Sequence, residues 1–326
     1  MRLPTVLVIA AVSFALGSAT VLTLTSQFFS PTAVEEGGQI REGRGVLTNP
    51  LLECDVAAGA IDAPKARFEK ALTVEVGVMN GREGVADISV YYRDLNNGPA
   101  FGVNQHTAFL PASLLKVPLM MAFYKHAESD PLILDKKVTY NKATEVVLAS
   151  PTILPEKKLT DGKEYSVSEL LQRMIAYSDN SAMELLYPLI PEIEYSNLYA
   201  GLGIEGIDSA NPASSLTVVE YSTFFRVLFN ASYLSQASSE KALQTLTEST
   251  FTKGLRAGVP SQIQIAHKFG ERDLGDGLFQ LHDCGIVYVP KKPYLLCIMT
   301  RGNNQKALQA AIQDISKFAY EQVTQN

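Results

Sequence analysis

Three short motifs follow one another along the chain, and together they contain the side chains needed for acyl transfer. They are Ser113-Leu114-Leu115-Lys116, Ser178-Asp179-Asn180 and Lys268-Phe269-Gly270. A serine hydroxyl attacks a carbonyl carbon once a neighbouring base takes its proton, and lysine and serine side chains can both move protons. The three motifs therefore supply a nucleophile, proton-transfer groups and a positive charge, which is the inventory for opening an amide bond through an acyl-serine.

The first motif places a nucleophile and a base on one face of a predicted helix. Residues three apart in a helix lie on the same face, so Ser113 and Lys116 are within reach of each other. Lys116 can deprotonate Ser113 if burial or a nearby cation lowers its pKa. Pro118 indicates that the helix has only just begun, because proline is tolerated in a first turn. The backbone N–H of Ser113 would then lie at a helix N-terminus and could stabilise an oxyanion.

The other two motifs provide the remaining groups. Ser178 has a hydroxyl for proton transfer, and Asn180 has an amide that can orient a substrate carbonyl. Lys268 supplies a charge that attracts a carboxylate and depresses the pKa of Lys116. Gly270 lets a ligand approach the backbone. The N–H of the next residue, Glu271, is predicted to be the second oxyanion donor.

Each motif alone also has a simple structural explanation. Ser113 could be an ordinary N-cap, the residues of Ser178-Asp179-Asn180 are the best N-caps and lie between two predicted helices, and Lys268 could be exposed on an edge strand. The Ser-x-x-Lys pattern occurs again at Ser238-Ser239-Glu240-Lys241, in a polar stretch that is interpreted as an accidental match. The functional interpretation therefore depends on the order of the three motifs and their predicted context.

An antiparallel sheet built from both ends of the chain is predicted to position these residues. β-Branched and aromatic runs separated by turn residues predict two hairpins, and a capping box at Ser166-Val167-Ser168-Glu169 opens one helix of the block between them. In chain order the sequence predicts helix 62–80, strands 87–94 and 100–109, helices 113–127 and 167–177, a helix that begins after Asn180, helices 217–229 and 239–250, strands from Gln262 onwards that include 278–289 and 293–301, and helix 305–323. This order favours an α/β fold class of the α+β type, with helices flanking an antiparallel sheet and an all-helical lobe, about 128–260, inserted between its strands.

The N-terminal segment predicts export. Residues 3–29 carry no charged side chain and are long enough to span a bilayer, so residues 1–30 are predicted to be an uncleaved membrane anchor. A cleaved signal peptide ending near Gly17-Ser18-Ala19 is the alternative. In both cases the domain, 62–326, would be periplasmic or extracellular. Residues 31–61 contain charged and turn-forming stretches, among them Glu35-Glu36-Gly37-Gly38 and Asn49-Pro50, and are predicted to be a linker.

Composition argues against two other kinds of site. The formal net charge is −6 and no run of Lys and Arg occurs, so nucleic acid is not the predicted partner. Neither the three cysteines nor the four histidines have metal-ligand spacing, and no metal or other cofactor is predicted. The oligomeric state is left open.

The cysteines allow more than one disulfide pattern in an exported protein. With a turn at 290–293, Cys297 would face Ile286 across the second hairpin, and Cys284 would be its diagonal neighbour on the same face. Cys54 could instead join the N-terminal segment to that sheet. A third possibility is that all three thiols are buried and unpaired.

The three motifs in this order resemble those of the penicillin-recognising serine enzymes, specifically the class A β-lactamase-like branch. The resemblance covers roughly residues 65–326. It implies Ser113 as nucleophile, Lys116 and Ser178 in proton transfer, Asn180 in substrate binding and Lys268 on the substrate carboxylate. It also implies a β-lactam or a D-alanyl stem peptide of peptidoglycan as the substrate.

The sequence departs from that family's pattern in two places. Class A β-lactamases carry a Glu, in a Glu-x-x-x-Asn segment of an Ω-shaped loop, that activates the deacylating water. The corresponding interval, 201–215, has no such segment, and its acids, Glu205 and Asp208, are predicted to be turn or cap residues. The third motif of the family has Thr or Ser where this chain has Phe269, which removes a donor to the substrate carboxylate and adds bulk.

These residues predict an exported, membrane-anchored serine acyl-hydrolase that forms an acyl-enzyme on Ser113 and releases it slowly. They do not separate a β-lactamase from a D,D-peptidase. A catalytically weak, anchored wall-binding or sensor module on the same fold is an alternative, motivated by Phe269 and the altered loop. A serine amidase or esterase such as glutaminase, whose fold is related, is a third.

Overall fold

A five-stranded antiparallel sheet forms the frame that carries the three motifs. The computed structural model describes residues 45–49, 63–96, 98–144, 153, 155, 157–204 and 214–325. The strands of this sheet are β1 Asp87–Asp94, β2 Ala100–Val103, β5 Ile265–Gly275, β6 Leu278–Val287 and β7 Tyr294–Gly302. Their order across the sheet is β2-β1-β7-β6-β5. Because β1 pairs with β7, the two ends of the chain meet in one sheet, as predicted.

Helices cover this sheet and form a lobe between β2 and β5. The first and last helices, α1 Ala63–Asn80 and α8 Gln305–Gln325, pack on each other and on the sheet. The intervening elements are α2 Lys116–Ala127, β3 Lys137–Thr139, β4 Glu164–Ser166, α3 Val167–Ala176, α4 Asn180–Leu186, α5 Glu192–Gly201, α6 Val218–Phe229 and α7 Gln236–Thr247. The predicted mixed architecture, an antiparallel sheet with an inserted helical block, is confirmed.

The alternation of side chains along the strands divides the core in two. On β7, Leu295, Cys297 and Met299 join the helices of the lobe in one hydrophobic cluster. Their neighbours Leu296 and Ile298 point the other way, into a cluster with α1 and α8. The sheet is therefore buried on both faces, and the motifs lie where its lobe-facing side meets α2 and α4.

Local capping decides where several helices begin. Both halves of the predicted capping box at Ser166 and Glu169 are present, and α6 begins with a second one from Thr217 to Glu220. The helix predicted at 239–250 begins three residues earlier, at Gln236, because the hydroxyl of Ser235 caps it by accepting the Ser238 N–H.

Two predicted strands and one hairpin register differ from the structure. The strand predicted at 100–109 ends at Val103, because Asn104 adopts a left-handed backbone with φ 52°. The predicted strand 278–289 ends at Val287. Cys297 faces Cys284 rather than Ile286, so the predicted register was wrong by two residues. The reason is the turn, which runs from Val289 to Lys292 and closes with a 2.9 Å hydrogen bond between them.

Cys284 and Cys297 form a disulfide between β6 and β7. A shift of two residues leaves each side chain on its predicted face, so the correct pair could still meet. Of the three patterns that the sequence allowed, the structure selects the hairpin pair. Cys54 lies outside the described residues.

Residues 45–49, a described part of the predicted linker, are held on the helical lobe. The Glu240 carboxylate accepts the backbone N–H groups of Val46, Leu47 and Thr48 at 2.8–3.0 Å. The side chain of Leu47 is buried in the cluster of the lobe. This short part of the chain is therefore packed and hydrogen-bonded rather than loosely extended.

Within the described ranges no helix is long and apolar enough to cross a membrane. The predicted anchor, residues 1–30, falls outside those ranges, and its role stays a prediction.

Candidate active site

Ser113 lies in a 3₁₀ turn, Ala112–Leu115, called the Ser113 turn below, which leads directly into α2. The turn is closed by a 3.0 Å hydrogen bond from the Leu114 N–H to the Pro111 carbonyl. Ala112, just before the serine, has φ 50°, a conformation that costs energy for a residue with a Cβ. The predicted uninterrupted helix therefore starts as a tighter, strained turn, and Ser113 itself stays partly exposed.

Lys116 connects the first motif to the second. Its ammonium is buried and donates to the Ser178 carbonyl at 2.6 Å, to Asn180 Oδ1 at 2.6 Å and to Ser178 Oγ at 3.2 Å. These three acceptors use all three protons of a charged lysine. Among the described residues no hydrogen bond joins Lys116 to the Ser113 hydroxyl, one helical turn away.

Burial lowers the pKa of Lys116 from 10.5 to about 7, although the charge of Asp179 opposes that effect. Removing an ammonium from water penalises its charged form, and this is the larger contribution. A substantial fraction of neutral amine is thus present at neutral pH. The predicted base therefore has the electrostatic environment that proton abstraction requires.

Lys268 reaches the same serine from the sheet. It is 0 % exposed, and its ammonium donates to Ser178 Oγ at 2.9 Å and to the Phe269 carbonyl at 2.7 Å. β5 is an edge strand, but Lys268 points into the protein, so a solvent-exposed edge lysine is excluded. Burial holds the pKa of Lys268 well below its usual value, and the charge of Lys116 lowers it further.

Ser178 Oγ accepts a hydrogen bond from each of the two lysines. A hydroxyl has two lone pairs, and both are used here, so its own proton is available for donation. Ser178 has φ 54°, which places a second strained backbone position in the site. The arrangement makes Ser178 a link between the two amines, and its role in proton transfer stays a prediction.

The helix-cap explanation of the second motif is also correct, but it applies only to the middle residue of the motif. Asp179 is the N-cap of α4 and accepts the Ala182 N–H at 3.2 Å. Ser178 and Asn180, on either side, are left to bind Lys116. Burial raises the pKa of Asp179, so the carboxylate is less strongly ionised than a surface aspartate.

Gly270 brings β5 against the Ser113 turn. A Cβ at this position would lie 2.9 Å from the Pro111 carbonyl oxygen and 3.0 Å from Leu114 Cγ. Close packing of strand on turn is therefore one reason for the glycine, in addition to the predicted approach of a ligand. The neighbouring Glu271 accepts the Ile153 N–H at 2.5 Å through its carboxylate. The oxyanion role of the Glu271 N–H stays a prediction.

Phe269 is packed into the core. Its side chain is 4 % exposed and stacks on Phe251 with ring centroids 4.1 Å apart and an interplanar angle of 22°. The Lys268 ammonium lies 4.1 Å from the centroid of the same ring. The Phe269 ring, which was predicted to add bulk at the substrate carboxylate, is thus largely buried. The prediction that a hydroxyl donor is missing at this position still holds.

Two groups of residues near the motifs were missed by sequence reasoning. His267 Nδ1 and Asp283 Oδ1 lie 2.8 Å apart in a buried pair beside Lys268, and the charge of Asp283 raises the pKa of that lysine. The hydroxyls of Tyr221 and Tyr195 donate to the carbonyls of Leu114 and Leu115. Only the bond from Tyr221 had a signal in the sequence, namely Pro118, which lacks the N–H that the Leu114 carbonyl would accept in a helix.

The second Ser-x-x-Lys match has no comparable surroundings. Lys241 is exposed in the middle of α7, and the Ser238 N–H donates to the cap residue Ser235 in the first turn of that helix. Its interpretation as an accidental match agrees with this position. Glu205 and Asp208, the acids of the altered loop, lie outside the described residues. In the part of the chain that the structure describes, no group of three His, Cys, Asp or Glu side chains is placed to hold a metal ion.

Similarity to known proteins was found along most of the chain. The Beta-lactamase2 model, which describes a β-lactamase enzyme family, matches residues 68–323. The extended-spectrum β-lactamase PER-1 of Pseudomonas aeruginosa is 25% identical over 243 residues, covering 67% of this chain and 77% of the relative. A β-lactamase of Bacteroides uniformis is 24% identical over 269 residues, covering 75% of this chain and 88% of the relative.

Solved structures show the same fold. A β-lactamase from Xanthomonas campestris pv. campestris aligns with a TM-score of 0.67 at 21% identity, covering 78% of this chain and 98% of that one. An acyl-enzyme complex of PBP-A with penicillin G aligns with a TM-score of 0.66 at 20% identity, covering 80% and 97%. Since the family model matches well over half of the chain, this protein belongs to the β-lactamase enzyme family and is a serine hydrolase of the β-lactamase-like type.

Proposed function

We propose that this protein is an exported, membrane-anchored acyl-enzyme hydrolase that opens the amide bond of a β-lactam or a D-alanyl peptide through Ser113. One observation carries the proposal. The hydroxyl of Ser178 receives hydrogen bonds from both buried lysines, at 3.2 Å from Lys116 and 2.9 Å from Lys268. The second and third motifs thus form one network with Lys116, one helical turn from Ser113.

Acylation follows from the roles of these groups. The neutral amine of Lys116 takes the proton of Ser113 while Ser113 Oγ bonds to the carbonyl carbon. The N–H groups of Ser113 and Glu271 bind the oxyanion that develops. As the C–N bond breaks, the leaving nitrogen takes the proton of Ser178 Oγ, and Lys116 returns a proton to Ser178. Atoms and charges balance, with the substrate acyl group left on Ser113.

Breakdown of the acyl-enzyme is proposed to be slow. Hydrolysis needs a base that activates a water molecule at the ester, and the interval 201–215 lacks the Glu-x-x-x-Asn segment that serves class A enzymes. Lys116 and Ser178 are already part of the acylation network. The proposal is therefore closer to a penicillin-binding peptidase than to an efficient β-lactamase, although the substrate classes share one acylation step.

Export to an oxidising compartment is supported by two features. The uncharged segment 3–29 has the length of a membrane anchor. The disulfide between Cys284 and Cys297 is of a kind that forms and persists outside the reducing cytosol. An anchor outside the described residues, followed by a catalytic domain at the cell wall, would place the site beside peptidoglycan stem peptides.

Intact-mass spectrometry after exposure to benzylpenicillin tests this proposal. The expected result is a mass increase of one whole penicillin per chain that forms quickly and clears slowly. Ser113→Ala abolishes the adduct, whereas Ser238→Ala, in the accidental second motif, acylates at the rate of the unmodified protein. An unmodified protein that forms no adduct, or a Ser113→Ala variant that still forms one, contradicts the proposal.

A wall-binding or sensor module is the second candidate, and the altered loop favours it. Such a module would acylate or bind without measurable turnover. Steady-state hydrolysis of nitrocefin or of a D-Ala-D-Ala peptide separates the two candidates. Hydrolysis that Lys116→Ala abolishes rejects the sensor, and an adduct without any hydrolysis supports it.

A further inference from the structure

The carbonyl of Leu114 lacks the hydrogen-bond partner that a helix normally provides. In an α-helix the carbonyl of residue 114 accepts the N–H of residue 118. Residue 118 is proline, the third residue of α2, and it has no N–H. The Lys116 N–H faces this carbonyl from two residues away but is shared with Ser113. Leu114 is buried, so water cannot readily supply the missing donor.

Tyr221 supplies that donor from a different element. Its hydroxyl, on α6, donates to the Leu114 carbonyl at 2.9 Å across 107 positions of sequence. The side chain is fully buried, and burial keeps the pKa of the phenol well above its usual value, so the hydroxyl stays a donor. A buried carbonyl of the Ser113 turn is thereby satisfied by a side chain from the lobe.

The helix that carries Tyr221 is fixed next to the Ser113 turn. The capping box of Thr217 and Glu220 sets the first turn of α6. Just before it, Leu216 and Phe109 exchange two backbone hydrogen bonds, at 2.9 and 2.8 Å. Phe109 lies four residues before Ser113, so the chain leading into the turn is held to the residue that precedes the cap of α6. The Tyr221 hydroxyl thus comes from an element that is hydrogen-bonded next to the turn.

We infer that Tyr221 is a positioning residue for Ser113, because its hydroxyl replaces the backbone amide that Pro118 lacks and holds the strained Ser113 turn in its reactive geometry. The inference rests on the proposed acylation of Ser113. Ala112 stores backbone strain next to the serine, and a turn of that kind persists only when its surroundings determine it fully. Loss of the Tyr221 hydrogen bond leaves the Leu114 carbonyl free to rotate, and the serine loses its alignment.

Tyr195 provides an internal comparison. Its hydroxyl donates to the next carbonyl, that of Leu115, at 3.2 Å. The residue four positions later is Leu119, which has a backbone N–H. The Leu115 carbonyl can therefore keep a helical partner when the Tyr195 hydroxyl is removed. The two tyrosines therefore differ in whether the carbonyl that each contacts also has a helical N–H partner.

A double-mutant cycle between Tyr221→Phe and Pro118→Ala tests the inference. Tyr221→Phe is expected to slow formation of the benzylpenicillin adduct about tenfold, the effect of roughly one net hydrogen bond. Pro118→Ala restores the amide at position 118, so in that background Tyr221→Phe should slow acylation less than about threefold. Tyr195→Phe should have the same effect in both backgrounds. Thermal unfolding of every variant shows whether it is folded at the assay temperature.

A loss from packing alone would be equal in the two backgrounds, and that outcome overturns the inference. So does a Tyr221→Phe variant that acylates at the unmodified rate. If the unmodified protein forms no adduct, the proposed function fails and hydrogen exchange of the amides at 113–119 decides the inference separately. Exchange should then be faster in Tyr221→Phe but not in the variant that also carries Pro118→Ala, and equal exchange in all proteins contradicts it.

Discussion

At the scale of single residues, the site is defined by how two buried amines share one hydroxyl. Lys116 and Lys268 both donate to Ser178 Oγ, and each has a pKa below that of a lysine in water. Two cations in this arrangement repel each other, which adds to the effect of burial on the pKa of Lys268. Burial brings the pKa of Lys116 to about 7, so its neutral amine is the group proposed to accept the proton of Ser113.

The pH dependence of acylation follows from the pKa of Lys116, which burial lowers to about 7. Below this pH the amine is protonated and cannot act as a base, and above it the amine is neutral. The rate of adduct formation should therefore rise with pH and reach half of its plateau near pH 7. Stopped-flow acylation with a fluorescent penicillin between pH 5.5 and 8.5 measures the profile.

Lys116→Ala is the matched variant for that profile. It should slow acylation at least about a hundredfold, the usual contribution of a general base, and remove the inflection. A rate that does not change with pH, or an inflection that survives in Lys116→Ala, would show that another group is the base.

At the scale of elements, β5 decides the shape of the site. This edge strand carries Lys268 and Gly270, and it packs directly on the Ser113 turn. Phe269, between them, belongs to the cluster of α1 and α8 and stacks on Phe251, and its ring centroid lies 4.1 Å from the Lys268 ammonium. The spacing between β5 and the turn therefore depends on Gly270, where an added Cβ would meet Pro111 and Leu114.

Gly270→Ala should push β5 away from the Ser113 turn. The new Cβ would lie 2.9 Å from the Pro111 carbonyl oxygen, which is backbone and cannot rotate aside. We expect a loss of about 1–3 kcal/mol in the free energy of unfolding, typical of overpacking, together with slower acylation. Urea unfolding and the penicillin adduct measure the two effects.

The control for that change is Gly77→Ala in α1, where an added Cβ would meet nothing within 4 Å. Alanine is the better helix former, so this variant should gain up to about 1 kcal/mol and acylate normally. Equal stability of the Gly270→Ala and unmodified proteins would mean that strand and turn can separate without cost.

At the scale of the whole molecule, the sheet joins the two ends of the domain. β1 pairs with β7 from Asp87 and Arg301 to Asp94 and Tyr294. The disulfide between Cys284 and Cys297 crosses β6 and β7 in the middle of this sheet. Because β6 also pairs with β5, the covalent link lies one strand away from the lysine of the third motif.

Removing the disulfide should lower the stability of the whole domain. Replacing both Cys284 and Cys297 with Ala is expected to cost about 2–4 kcal/mol, because the unfolded chain loses its cross-link. Thermal unfolding of this variant should match that of the unmodified protein with reductant. In non-reducing, denaturing alkylation the unmodified chain should take up one label, since only Cys54 is outside the pair. Three labels, or no change in stability, would contradict the assignment.

The sequence alone was sufficient for the features that depend on near neighbours. The spacing of Ser113 and Lys116, the capping box at Ser166 and Glu169 and strand β1 were all predicted, because each arises within a few residues of chain. The mixed fold followed from the order of these elements.

The tertiary structure alone decided which side chains meet. The hairpin register depended on the turn from Val289 to Lys292, and a shift of two residues brought Cys297 onto Cys284. Phe269 stacks on Phe251, which lies 18 positions away in the sequence, and the Tyr221 hydroxyl donates to the Leu114 carbonyl, 107 positions away. No local pattern records such contacts, because burial and hydrogen-bond partners are set by packing between elements rather than by the neighbours of a residue in the chain.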